Sequence, residues 1–192
     1  MKGRARQVVR TNIADAVGVL ERLAGLETQI EAAAAMIAAA LLSGHKLLAC
    51  GNGGSAADAS HLTTEFVARY DRERRAYPAI SLAAHGGDLT AISNDYSFAE
   101  LFARQVQAFG LPGDVLVVFT TSGKSENVLR ALRAAKEMGV KTIAFLGRDG
   151  GLCAGLADVE LLVAGTITAR IQEGHKFLLH TICELVEEQI SA

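Results

Sequence analysis

Apolar residues recur at helical spacing from Arg4 to Leu23 and again from Glu27 to Leu42, with Gly25 between the two segments, so the pattern predicts two helices before any strand. The second segment, with Ala32 to Ala35 and Ala38 to Ala40, is smooth enough for close helix packing. The pattern then changes to short apolar runs at Leu47 to Cys50, Ala79 to Ala83, Val115 to Phe119, Thr142 to Leu146 and Val159 to Val163, with helical patterns between most of them. Short apolar strands alternating with helices predict a parallel sheet buried on both faces and joined by right-handed crossovers. A long helix from about Thr168 to Ile190 closes the chain. With no linker, low-complexity tract or fixed-period repeat, the expectation is one domain over residues 1–192. Residues 1–44 form a leading helical extension that covers a sheet face or builds a subunit interface.

Two strand-to-helix junctions break the apolar pattern with small and polar residues. In the first, Leu47 to Cys50 runs into Gly51, Asn52, Gly53 and Gly54, and Ser55 opens an Ala-rich helix. Glycines carry no Cβ and the first helical amides have no intrahelical partner, so such a turn lets backbone N–H groups approach a phosphate or carboxylate. Further along that helix Asp58, His61 and Glu65 fall within about 60° of one another. A His and a Glu at this spacing can share a metal ion, act as an acid/base pair, or simply form a solvated intrahelical contact. In the second junction Val115 to Phe119 meets Thr120, Thr121, Ser122, Gly123, Lys124 and Ser125, followed by a helix from Asn127 to Met138. Hydroxyls and a glycine there make a second phosphate cradle. Ligands bind at the carboxyl ends of strands in open parallel sheets, so one phosphorylated ligand can span both junctions.

Half of the 192 residues are hydrophobic, enough for a substantial core. A net charge of −2, spread along the chain, leaves no electrostatic footprint for nucleic acid. Arg69, Arg72, Arg74 and Arg75 form the one basic cluster; interrupted by Asp71 and Glu73, it is expected to be a solvated loop or a rim that gathers anionic substrates. Cys50, Cys153 and Cys183 are odd in number and lack C-x-x-C spacing, which argues against a disulfide framework or thiolate zinc site and fits a cytoplasmic location. The N-terminal residues lack the apolar core of a signal peptide, and Ala32 to Leu42 is too short to span a bilayer, so no membrane association is expected.

Other local patterns are weaker. Gly123-Lys124-Ser125 imitates the end of a Walker A loop, but Val118 stands where its first glycine is required. Gly51-x-Gly53-x-x-Ala56 is a permissive match to the dinucleotide fingerprint, yet Asp71 does not end a clear second strand. Ser93, Asn94 and Asp95, after the second strand and a short turn of helix, form a further polar cluster that reads in isolation as an Asx turn or N-cap. Beside it, His85-Gly86-Gly87-Asp88 reads as a mobile loop. In the last helix Gln172, Glu173, His175 and His180 stand amid Ile171, Phe177, Leu178, Leu179 and Ile182. His175 fits either a surface residue or a partner behind the site.

Taken together, Gly51-Asn52-Gly53-Gly54-Ser55 and Thr121-Ser122-Gly123-x-Ser125 resemble the sugar isomerase (SIS) domain. Asp58-x-x-His61-x-x-x-Glu65, Asn94-Asp95 and Ile171-Gln172-Glu173-x-His175 resemble the phosphoheptose isomerases of that family. The resemblance covers nearly the whole chain. It implies a three-layer α/β/α sandwich with a five-stranded parallel sheet, a homotetramer with active sites at subunit interfaces, and a zinc ion in each subunit. The metal ligands it implies are His61, Glu65, Gln172 and His180, with Glu65 and His180 transferring protons. The implied substrate contacts are Asn52, Gly53, Gly54, Ser55, Glu65, Asn94, Asp95, Thr120, Thr121, Ser122, Ser125 and Gln172.

The activity implied is conversion of sedoheptulose 7-phosphate to D-glycero-D-manno-heptose 7-phosphate through an enediol, for nucleotide-activated heptose biosynthesis. Alternatives are a non-catalytic SIS protein binding a partner such as the replication initiator, or an isomerase of another sugar phosphate. Moving a proton between C1 and C2 requires a carboxylate base and an acid serving the two oxygens, and Glu65 and His180 are of those types. Gln172 and His180 are eight residues apart, about 12 Å along one continuous helix. Either the helix begins after Gln172 or different subunits supply the ligands. The His85-Gly86-Gly87 stretch departs from the polar, often acid-containing loop of the family.

Overall fold

A computed structural model describes residues 2–191. Its main elements are α1 (Lys2–Leu23), α2 (Glu27–Leu42), β1 (Leu47–Gly51), α3 (Gly54–Val67), β2 (Ala79–Ser81), α4 (Gly86–Asp95), α5 (Leu101–Phe109), β3 (Val115–Thr120), α6 (Glu126–Glu137), β4 (Lys141–Gly147), β5 (Val159–Val163) and α7 (Thr168–Ile190). The five strands pair in parallel in the order β2-β1-β3-β4-β5. After β1 the chain pairs first on one side, with β2, and then on the other, with β3. The order therefore reverses at β1, and the crevice beyond Gly51 and its register partner Phe119 is where such a sheet takes a ligand.

Alternation along each strand divides the apolar side chains between two cores. Ala49, Val117, Phe119, Phe145 and Val163 face α2, α3 and α7. Leu48, Cys50, Leu116, Val118, Ala144 and Leu146 face α5 and α6. Burial on both faces is why these strands read as continuous apolar runs. All three cysteines are free and buried, and burial raises the Cys153 thiol to about 11.

The two leading helices differ in their use. Ile30, Ala33, Ala34, Ile37, Ala38 and Leu41 place α2 inside the core. On α1, Val19 and Leu23 are buried, but Val8, Val9, Ile13 and Val17 are 47–59% exposed. By length and composition Gly3–Leu42 is apolar enough to cross a membrane. The turn Ala24–Leu26 divides it into two helices, and much of the apolar face of α2 lies against the sheet and α7.

Several expectations are corrected. β2 ends at Ser81: the Leu82 amide still donates to Ala49 of β1, and the Ala84 amide then turns back onto Ser81. Gly86 and Gly87 open α4 rather than forming a loop, with Asp88 at the positive end of the helix and the Thr90 hydroxyl donating to Gly86 O at 2.8 Å. Ser93, Asn94 and Asp95 are thus the last turn of a helix, not an Asx turn or an N-cap. The arginine cluster also divides. Arg69 and Arg72 are more than half exposed, whereas the Arg74 side chain is 4% exposed and paired with Glu187.

Candidate active site

The two junctions are built by tight backbone turns and joined by side chains. Gly53 has φ +57° and ψ −122°, a conformation that L side chains rarely adopt, and from it the chain turns directly into α3. The Asn52 carbonyl accepts from the Ser55 amide at 3.1 Å. Across the crevice Asn52 and Asn127 exchange amide hydrogen bonds of 2.9 and 3.0 Å, which fixes the β1–α3 turn against the start of α6. In the β3–α6 loop Thr120 Oγ1 accepts from the Gly123 amide and Ser122 Oγ accepts from the Lys124 amide. A Cβ on Gly123 would stand 1.8 Å from Gly150 O, so only glycine lets this loop pack on the next one. Ser125 precedes α6 without using its side chain as a cap.

The predicted contact residues differ in exposure. Thr120 and Ser55 are buried, 3% and 4% exposed, and Thr120 holds its own loop. Asn94 Nδ2 donates to Asp95 Oδ1 at 2.8 Å on the exposed end of α4, and among the described residues the pair bonds to no candidate outside itself. Gln172 is close to the anion turn: a Cβ on Gly54 would meet its Nε2 at 2.2 Å, so the Gln172 amide covers the first turn of α3.

α3 and α7 pack side by side and run in the same direction. Gly54 faces Gln172, Asp58 pairs with Lys176, His61 meets His180, and Tyr70 beyond α3 bonds to Glu187. The polar stripe predicted on α3 therefore meets a matching stripe of Gln172, Lys176 and His180, spaced four residues apart on α7. Glu65 Oε1 lies 2.7 Å from His61 Nε2, and His180 Nε2 lies 3.4 Å from the same nitrogen. Lys176 Nζ is 2.8 Å from His61 Nδ1. An ammonium only donates, so Nδ1 accepts and a neutral His61 carries its proton on Nε2, directed at Glu65. Burial lowers the His180 pKa, and His61 and Lys176 lower it further against the opposing pull of Glu65. This favours the neutral imidazole of His180, the form that can accept a proton.

Asp58 is buried, with Oδ1 on Lys176 at 2.8 Å and Oδ2 without a hydrogen-bond partner. His175, read from sequence as a surface residue or a partner behind the site, is fully buried. Its Nε2 is 3.1 Å from Leu146 O and its ring stands edge-on to Phe119 and Phe145.

α7 is continuous from Thr168, so the helix does not begin after Gln172, and Gln172 and His180 of one chain stand about 12 Å apart along it. Among the described residues no group of three or more His, Cys, Asp or Glu side chains is closed around a metal position. The 3.4 Å between His61 Nε2 and His180 Nε2 matches the roughly 3.3 Å between two nitrogens on one tetrahedral zinc. The 2.7 Å from His61 to Glu65 is instead an N–H···O bond, shorter than that ligand spacing. The donor set fits zinc, but His61 is held in its hydrogen-bonded form. Glu65 also lies three helical turns beyond Gly54, about 16 Å along α3.

Sequence reasoning missed Lys176, Asn127 and the Arg74–Glu187 pair. Lys176 carried a signal, since it lies midway between Gln172 and His180 on one helical face. Asn127 stands in the first turn of the helix after the hydroxyl loop.

Residues 13–147 match the family model described as SIS domain. A phosphoheptose isomerase of Aquifex aeolicus is 51% identical over 162 residues, covering 84% of this chain and 85% of the relative. One from Geotalea daltonii is 49% identical over 165 residues, covering 86% of each. The structure of phosphoheptose isomerase from Neisseria gonorrhoeae superposes with a TM-score of 0.91 at 39% identity, covering 96% of this chain and 99% of that one. A phosphoheptose isomerase from Francisella tularensis superposes with a TM-score of 0.92 at 34% identity, covering 96% and 98%.

Proposed function

The chain belongs to the phosphoheptose isomerases of the SIS-domain family, and from that premise we propose that it converts sedoheptulose 7-phosphate to D-glycero-D-manno-heptose 7-phosphate with Glu65 and His180 carrying the protons. The observation that carries this reading is the meeting of these two side chains, from different helices, at His61. Glu65 accepts the proton from the sugar carbon next to the carbonyl and returns it to the neighbouring carbon. His180, neutral and partly accessible, exchanges the proton of the flanking oxygens as the enediol forms and collapses. In the metal-free protein the His61 Nε2–H orients the Glu65 carboxylate. Ser122, Ser125 and the amides of the two turns receive the distal phosphate, and its binding energy fixes the reacting end of the sugar.

His61, Glu65 and His180 are the residues that would hold zinc, with Gln172 of the partner subunit completing the set. When bound, the ion supplies Lewis-acid polarisation of the sugar carbonyl. The assembly proposed is a cytoplasmic homotetramer with shared sites, supported by the exposed apolar residues of α1.

Glu65→Gln keeps the shape but removes the base, so kcat on sedoheptulose 7-phosphate should fall by ~10²-fold or more with little change in KM. Wild-type exchange of solvent deuterium into C1 or C2 of the sugar by this variant would remove Glu65 from the proton path.

A further inference from the structure

Lys176 has no part in the isomerisation above, yet its ammonium occupies the middle of the α3–α7 seam. Nζ lies 2.8 Å from Asp58 Oδ1 and 2.8 Å from His61 Nδ1. The bond to Nδ1 requires a lone pair there, which leaves the proton of a neutral ring on Nε2, the nitrogen that faces Glu65 and His180. A metal ion at Nε2 requires the reverse arrangement, with the lone pair on Nε2 and the proton on Nδ1. That N–H would then point at an ammonium that has no acceptor to offer. The Lys176 bond to His61 and a metal on His61 Nε2 are therefore mutually exclusive.

The alternative partner for an Nδ1–H is already built. Asp58 is a buried carboxylate on the same face of α3, touched by the same ammonium, and its Oδ2 has no hydrogen-bond partner. A ligating histidine ordinarily gives its second N–H to such a carboxylate, which fixes the ring and raises its basicity. The Lys176 side chain is 34% exposed, so its ammonium has a route to water that Asp58 lacks.

Building on the zinc reading above, we propose that Lys176 is an internal cation that zinc must displace: it locks His61 in the metal-free form by bridging to Asp58, and it weakens metal binding until it swings out. The device accounts for the 2.7 Å His61–Glu65 hydrogen bond, which holds two prospective ligands closer together than a metal would.

The test uses the full chain, zinc and a chromophoric chelator in competition, with nitrogen NMR of the His61 ring as a second readout. Lys176→Met keeps the stem and removes the charge, and should tighten zinc binding at least ~10-fold. In metal-free wild-type protein the His61 proton should reside on Nε2, moving to Nδ1 when zinc is added. Equal or weaker zinc affinity in Lys176→Met overturns the displacement but leaves the zinc reading standing. Absence of zinc uptake by both proteins overturns the two together. The NMR measurement on wild-type protein needs no variant, and a proton already on Nδ1 without metal refutes the proposal even if Lys176→Met fails to fold.

Discussion

Arg74 Nε donates to Glu187 Oε1 at 3.2 Å inside the protein, with both side chains 4% exposed. The pair joins the end of α3 to α7. Glu187 also accepts from the backbone amides of Tyr70, Asp71 and Arg72 at 3.2, 2.8 and 2.7 Å. Arg74 donates in turn to the carbonyls of Glu65 and Phe66, in the last turn of α3 where carbonyls have no intrahelical partner. The backbone that carries the proposed base is thus held by a buried ion pair.

Removing either charge alone leaves the other buried without an opposite charge. Glu187→Leu and Arg74→Met should each cost about 3–5 kcal/mol of stability, and the double variant Arg74→Met/Glu187→Leu clearly less than the two losses combined. Urea unfolding of all three against wild type measures this. Additive losses would mean that the two side chains act independently.

The pH dependence follows from Glu187 and His175. Burial raises the Glu187 carboxyl, but the amides of Arg72, Asp71 and Tyr70 and the Arg74 charge outweigh it, so its pKa lies below the ordinary 4.5. Burial lowers His175 below its ordinary 6.5, against smaller opposing effects of the Leu146 carbonyl and Asp58. Both folded values lie below the unfolded ones, so the unfolded chain takes up more protons as the pH falls. The His175 contribution is complete above its unfolded value and is lost as pH falls through the folded one; the Glu187 contribution is lost likewise at lower pH. Urea midpoints should therefore fall in two stages, the first beginning near 6.5 and the second near 4.5, and Glu187→Gln should lack the second. A midpoint that rises between pH 7 and pH 5 would contradict the assignment.

The sheet was legible in the sequence because burial on both faces turns its strands into continuous apolar runs, and β3 was located within one residue. The convergence of His61 and Glu65 followed from helical spacing alone. α4 was legible only as a short turn of helix, since Gly86-Gly87 ordinarily ends helices and no residue of α4 is fully buried. Arg74 was hidden for a different reason: its neighbours are charged and exposed, and its partner lies 113 residues away. Lys176 could be placed on a face with Gln172 and His180, but its contact with His61 depends on the parallel alignment of α3 and α7, which no local pattern encodes.

The last prediction concerns which chains build one site. Along its own helix Glu65 lies about 16 Å from the turn at its head, and Gln172 about 12 Å from His180. In the proposed tetramer the proton carriers of one chain act on a sugar whose phosphate is held by a neighbour. Two variants, each inactive alone, distinguish this from a site confined to one chain. Glu65→Gln removes the base and leaves the phosphate loop intact. Ser125→Glu places a carboxylate where the phosphate oxygens belong and leaves the base intact, and the negative charge at the start of α6 does not oppose the helix dipole. Refolding the two together at equal amounts gives some sites with both functions intact, about one quarter under random assembly. Turnover of the mixture should rise toward that fraction of the wild-type rate while each variant refolded separately stays inactive. A mixture as inactive as its components would place Glu65 and Ser125 of a single chain in the same site.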